Sequence, residues 1–260
     1  AFASIHFGGY CDEKVTSTSK INSLPLGMTM VLPGDAGTYF HSRVGGTALV
    51  VGQLYQAETG NIHLADTMYA KSLVPAATYA VGATTVAFTT GGTTGVGTDR
   101  FQDGWLFVAN SAGSGGQGYK YRIKANNSAA SGSATCTLTL YETDGLKVAV
   151  LTGTTRFGVL ENKYRAIELT TADTVGHPIL GVACNSAAAS AYCWLQATND
   201  GLVKIGGTVL NNREPVVAST GVAGVIAKIA IAATTALADT KDSFDSIGVG
   251  LTSPAANGYA

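Results

Sequence analysis

The sequence predicts an all-β fold: antiparallel sandwich or barrel modules, an extended N-terminal arm and little helix. Three observations predict it. The 260 residues include 33 glycines but 6 prolines, a ratio that calls for many tight turns. Asp-Gly pairs at Asp103, Asp144 and Asp200 punctuate the chain, and glycine supplies the positive φ that hairpin turns need. Between these breaks Thr, Val and aromatic residues dominate, as strands prefer, and the 3.6-residue period of an amphipathic helix is scarce.

Taken in order, residues 1–30 are mixed, Ser/Thr-rich and without period, and read as the arm. Residues 28–32 and 48–56 read as strands around a turn at Pro33-Gly34, and 60–75 holds the only helix-like stretch of this region. A second unit begins at Ala76. Residues 79–90 alternate and run into the Gly/Thr-rich loop 91–98, and 105–109 form a strand after Asp103-Gly104. Residues 119–125 alternate cleanly, with Tyr119, Tyr121, Ile123 and Ala125 on one face and Lys120, Arg122 and Lys124 on the other. Residues 135–141 set Cys136, Leu138 and Leu140 opposite a row of threonines. A third unit starts near Ala166. It holds apolar runs from Gly176 and from Tyr192, a large/small alternation over 225–232, an Ala-rich stretch to Ala238 suited to a short helix, and a last strand over 246–252. The expected organisation is 1–75 for the arm and first β region, 76–165 for a central β domain, and 166–260 for a C-terminal barrel-like domain.

Composition narrows the function. Charged residues make up 13% of the chain, half of the usual share of about a quarter. With 46% hydrophobic residues and a mean hydropathy of +0.21, the chain is not of the disordered class. An exterior so poor in charge suits a subunit covered by copies of itself or by a partner better than a free monomer. The net charge of -1 offers no global basic field, so neither nucleic acid nor an anionic membrane is an expected partner. No run approaches the ~18 apolar residues of a membrane-spanning helix, and the first residues show no basic region followed by a long apolar core. Cys11, Cys136, Cys184 and Cys193 form neither a C-x-x-C pair nor a zinc pattern. They read as small core residues of a reducing compartment, with a Cys184–Cys193 disulfide across a hairpin as the alternative.

Reactive constellations are not legible. Gly113-Ser114-Gly115-Gly116-Gln117-Gly118 fits the dinucleotide fingerprint by letters, but a strand follows it where the pyrophosphate needs a helix N-terminus. G-x-S-x-G, the P-loop and H-E-x-x-H are absent. His6, His41, His63 and His177 have no readable catalytic partner; His41 reads as a strand-edge residue and His177, before Pro178, as a turn residue. Asp239, Asp242 and Asp245 have helical spacing and lack the alternate-residue pattern of a calcium loop, so they read as a solvated face. Asn126-Asn127-Ser128 is a glycosylation sequon only if the chain is secreted. No catalytic, cofactor-binding or metal-ligating residue is expected. The one candidate binding feature is the stripe Lys120, Arg122 and Lys124. It reads either as a solvent face balanced by acidic neighbours or as a surface that docks on an acidic partner. Nucleic acid ranks last, because aromatic residues are not interleaved on that face of the strand.

Several phrases carry a resemblance. Phe101-Gln102-Asp103-Gly104-Trp105-Leu106, Gly118-Tyr119-Lys120-Tyr121-Arg122-Ile123-Lys124 and Leu138-Thr139-Leu140 resemble a block found in tailed-bacteriophage virion structural proteins. Val159-Leu160-Glu161-Asn162 and Ile247-Gly248-Val249-Gly250-Leu251-Thr252 are similar to the same group. The likeness covers 76–252, and the first 75 residues match only loosely. It implies a capsid decoration (cement) protein: a β-rich, often trimeric subunit that clamps neighbouring major capsid protein subunits on the virion exterior, without enzyme activity or cofactor. The arm suits this, since an extended segment can add a strand to a neighbour's sheet edge. The alternative expectation is a tail, fibre-associated or receptor-binding virion component. That would call for a ligand-facing aromatic tip, and Trp105 and Trp194 fall in predicted strands instead.

Overall fold

The computed structural model describes residues 13–32, 37–58, 73–90, 95–111, 118–130, 134–141, 145–171, 178–198, 203–206, 215–219, 221–228 and 248–249. The strands are β1 (Thr29–Leu32), β2 (Gly37–Arg43), β3 (Leu54–Ala57), β4 (Thr85–Thr89), β5 (Trp105–Ser111), β6 (Lys120–Asn126), β7 (Thr135–Leu140), β8 (Thr155–Leu160), β9 (Ile167–Leu169), β10 (Ile179–Ala183), β11 (Tyr192–Gln196), β12 (Pro215–Ala218), β13 (Ile226–Lys228) and β14 (Gly248–Val249). The one helical element among the described residues is a 3-10 turn, Ile21–Ser23. The fold is all-β, and each of these strand pairings is antiparallel. The helix-like stretches read at 60–75 and before Ala238 lie outside the described residues.

The chain divides into two compact units, residues 60–165 and the combination of 1–59 with 166–260. The sequence reading separates 1–75 from 166–260, whereas the structure weaves them together. β2 pairs along its length with β11, and β3 pairs with β10 and with β9, in the sheet order β1-β2-β11-β10-β3-β9. Such pairing is set by hydrogen bonds between segments distant in sequence, which composition shifts along the chain do not register.

The 60–165 unit is a barrel. Its five strands run in the order β4-β7-β6-β5-β8, and the segment 73–76 joins the two edges. Leu73 exchanges backbone bonds with Phe157 of β8, at 3.0 and 2.9 Å. On its other side the segment bonds to β4 through Ala76 N–H to the Ala87 carbonyl (2.9 Å) and Thr89 N–H to the Val74 carbonyl (3.4 Å), straddling Pro75, which has no N–H to give. Among the described residues both outer strands of this sheet, β4 and β8, are thereby paired on their second side. The lumen is filled by one continuous cluster that includes Val86, Phe88, Phe101, Leu106, Tyr121, Ile123, Leu138, Leu140, Phe157 and Val159.

The other unit holds the six-stranded sheet, whose β9 edge turns back to the end of β2, Ile167 bridging Val44 and accepting from Gly45 N–H at 2.9 Å, and the small sheet β13-β12-β14. All five residues of β11 are buried. The strand read over 48–56 shortens to β3, because 50–53 form a turn in which Val50 N–H donates to the Tyr55 hydroxyl at 2.7 Å. The expected strand over 225–232 is described as β13, and that over 246–252 as β14. The described part of the arm lies along its own chain. Ser17 exchanges backbone bonds with Tyr192 (3.0 and 2.7 Å), Asn185 Nδ2 donates to the Lys14 carbonyl at 2.7 Å, and Ile21 and Leu26 are buried.

Candidate functional site

The stripe lies on β6, whose alternation turns Lys120, Arg122 and Lys124 to the outside of the barrel and Tyr121 and Ile123 into its lumen. Lys120 and Lys124 are exposed and Arg122 is half-buried. The alternation ends at a bulge between Ile123 and Ala125, which lets Asn126 point inward. Asn126 then fastens the loop before β5. Its Oδ1 accepts from Phe101 N–H at 2.8 Å, and its Nδ2 donates to the carbonyls of Gly97 (2.9 Å) and Asn127 (2.8 Å). A buried amide engaged in this way is not an accessible glycan acceptor, so the sequon has a structural role in the folded barrel.

The neighbouring strand supplies what β6 lacks. β5 alternates Trp105 and Phe107 outward, half-buried, with Leu106 and Val108 inward. The register sets Trp105 opposite Arg122 and Phe107 opposite Lys120. On the far side of β5, Trp105 faces Leu160 and Phe107 faces Gly158 of β8. The Arg122 guanidinium lies 5.3 Å over the Tyr141 ring and 4.0 Å from Asp103 Oδ1, to which the Tyr141 hydroxyl donates at 2.8 Å. Burial, then the bond to Asp103, pushes the Tyr141 phenol up to about 12. Asp103 is buried, so its carboxylate depends on these partners. Aromatic and basic side chains therefore share one outer wall.

The sequence names the cations of this wall and misses Trp105, Phe107 and Tyr141. The β5 run Trp-Leu-Phe-Val is apolar on both faces, so its period carries no contrast, and cross-strand register is not written in either strand alone. Asp103-Gly104 also differs from the expected hairpin. Asp103 takes the positive φ of 59°, and Gly104 is required because a Cβ there would collide with the Leu160 carbonyl. Below Leu160, the buried Glu161 carboxylate is bonded by Arg100 and lies 3.9 Å from Arg165. Asp103 and Glu161 are thus both committed to guanidinium groups.

The remaining candidates disperse. His41 is not a strand-edge residue: β2 is flanked by β1 and β11, and the ring is fully buried, stacked 5.6 Å from Tyr192 and tilted against Trp194 at 5.3 Å. Its Nδ1 carries a proton to the Pro25 carbonyl at 3.2 Å, since a carbonyl only accepts. Cys184 and Cys193 are free thiols. Cys184 donates towards Gln196 Oε1 at 3.6 Å, on the face that Gln196 shares with Trp194, while the intervening position of Cys193 points to the opposite face. Burial raises Cys193 to about 12. The Gly-rich segment 113–118 connects the antiparallel pair β5 and β6, so its follower is a strand and the helix of a dinucleotide site is not there. His6, His63, His177, Cys11 and the Asp239, Asp242 and Asp245 cluster lie outside the described residues. Among the described residues, no group of three or more His, Cys, Asp or Glu is placed to hold a metal ion, and no helix is long and apolar enough to cross a membrane.

Comparison with known proteins finds no matching family model, no matching curated protein and no matching solved structure.

Proposed function

We propose that this chain is a non-enzymatic virion structural protein that decorates and stabilises a tailed-bacteriophage capsid, binding major capsid protein subunits as a homotrimer on the capsid exterior. One observation carries the reading: the barrel is filled by its own side chains, while the outer face of β4 and β7 presents threonines and no charge. The lumen cluster leaves function to the exterior. That exterior presents Thr85, Thr89 and Thr135 along β4 and β7, with Val74, Val81 and Leu151 exposed nearby. Surfaces of this kind suit contact with other subunits, and repetition over a shell multiplies modest contacts into strong retention. The phrases at 101–106, 118–124 and 138–140 that resemble virion structural proteins fall on or just before β5, β6 and β7, three strands of the barrel.

A second reading, a tail, fibre-associated or receptor-binding virion component, is favoured by the outward turn of Trp105. Gold-labelled antibody on intact particles separates the two. Even labelling over the shell is the expected outcome; labelling confined to the tail or one vertex establishes the second reading, and particles without label refute both.

A further inference from the structure

The outer face of β8, β5 and β6 sets rings and cations in a regular order. These three strands hold four Lys and Arg, namely Lys120, Arg122, Lys124 and Arg156, and no Asp or Glu. All four stand at outward positions, alternating with residues that fill the lumen. The carboxylates that adjoin β5 and β8 in the chain, Asp103 and Glu161, are buried against guanidinium groups and do not offset the exposed lysines. Trp105 and Phe107 run down the middle strand, half-buried, so part of each ring meets solvent. The register sets Arg122 opposite the first and Lys120 opposite the second. A single strand taken alone shows no interleaving of rings with cations; the sheet does. Each step of two residues along the wall presents one ring and one cation, about 6.8 Å beyond the last pair.

We infer that this wall binds single-stranded nucleic acid without regard to sequence, with bases against Trp105 and Phe107 and phosphates along Lys120, Arg122 and Lys124. A polynucleotide offers the same pairing at the same repeat. Each nucleotide carries one flat base and one negative phosphate, about 3.4 Å apart along a stacked strand and about twice that once the strand is drawn out and its bases part. Stacking on a ring tolerates any base, because every base has a π-face. A phosphate meets the charge within a Debye length, about 8–10 Å in ordinary buffers, and not the total of the chain. Arg122 is already oriented by Tyr141 and Asp103, so less side-chain freedom is lost on docking. Other polyanions fit less of the wall. An acidic protein surface or a sulfated polysaccharide engages the cations but brings no base to the rings, and a duplex keeps its bases stacked inside. The inference is independent of the capsid reading, since labelling of particles does not bear on it.

Fluorescence anisotropy of a labelled oligothymidylate of about 12 nucleotides, titrated with the full-length chain, tests this. The expected Kd is about 1–100 μM, the range of sequence-independent binding. Three to four neutralised phosphates give a log–log salt slope of about -2 to -3, so affinity falls about 20- to 50-fold between about 50 and 200 mM salt. Trp105→Ala weakens binding by about 5- to 140-fold, the worth of one stacked base, and Trp105→Phe restores most of it. Lys120→Glu with Lys124→Glu abolishes binding while circular dichroism is unchanged; because both lysines are exposed, this pair decides the matter should Trp105→Ala fail to fold. No binding at about 100 μM chain in dilute buffer overturns the inference, and so does binding that the lysine pair leaves intact. Dextran sulfate or a duplex of equal length that competes as well as the oligothymidylate, with Trp105→Ala without effect, overturns it in favour of a wall for anions of any kind, an acidic protein among them.

Discussion

The barrel and the six-stranded sheet are drawn from the chain in different ways. The barrel is drawn from one stretch of chain, 60–165, and the segment 73–76 closes its edges. Its lumen is lined almost wholly by apolar side chains. The sheet is drawn from both ends of the chain, with β1 as an outer strand paired to β2. Both units also bury polar groups: His41, Ser42 and Gln56 in the sheet, with Gln196 nearby on β11, and Thr90, Asp103, Asn126, Thr155 and Glu161 in the barrel unit. In the sheet, drawn from distant segments, side-chain bonds such as Gln56 Nε2 to Glu168 Oε1 at 3.2 Å help fix which strands meet.

The two tryptophans fall one in each unit, Trp105 in the barrel and Trp194 in the sheet, so fluorescence reports each separately. The largest effects should come from core truncation. Phe157→Ala, fully buried in the barrel, should cost about 3–5 kcal/mol in urea unfolding followed by Trp105, and Leu195→Ala in the sheet about 2–5 kcal/mol followed by Trp194. If each lesion shifts only its own reporter, the units unfold independently; coincident shifts would break the comparison. Asn126→Ala should cost less, about 1–3 kcal/mol, by leaving Phe101 N–H without its buried acceptor. Its effect should appear at Trp105 alone, and an equal effect at Trp194 would dissolve the distinction.

The smallest effect is that of alkaline pH. In the barrel, burial lifts Tyr164 from 10.0 to about 12, as it lifts Tyr141. A folded-state value above the unfolded one means that the folded barrel keeps its protons longer. The stability so contributed is complete below pH 10 and is lost as the pH rises towards 12. In the sheet, Tyr39 is raised to about 12 and Cys193 from 9.0 to about 12, so its loss starts nearer pH 9. Tyr164→Phe should flatten the alkaline slope seen at Trp105 and leave that at Trp194 unchanged; an unaltered slope at Trp105 counts against burial as the cause.

Several parts of the fold were readable from the chain, for physical reasons. The alternation over 119–125 and 135–141 appears as β6 and β7, because one face of each strand fills a lumen and the other does not. Leu138 and Ile123 could be assigned inward on that basis alone. Where both faces are covered, the signal vanishes. Tyr192–Gln196 is buried at every position, so its place at the centre of a six-stranded sheet, and the burial of His41 against it, left no trace in period. The candidate wall divides in the same way. Its lysines stood out against an apolar partner face, whereas Trp105 and Phe107 sat in a run without contrast.

By itself the sequence determined the all-β character, the turn-rich spacing and the outward stripe of Lys120, Arg122 and Lys124, because these follow from local steric preference and a two-residue period. Only the tertiary structure decided that 73–76 would close a barrel, that the two ends of the chain would share a sheet, and that Trp105 would stand beside Arg122. Each of these is a choice of hydrogen-bonding partner between distant segments. Backbone N–H and C=O groups are the same at every residue, so that choice is settled by packing of the whole and not by any stretch of letters.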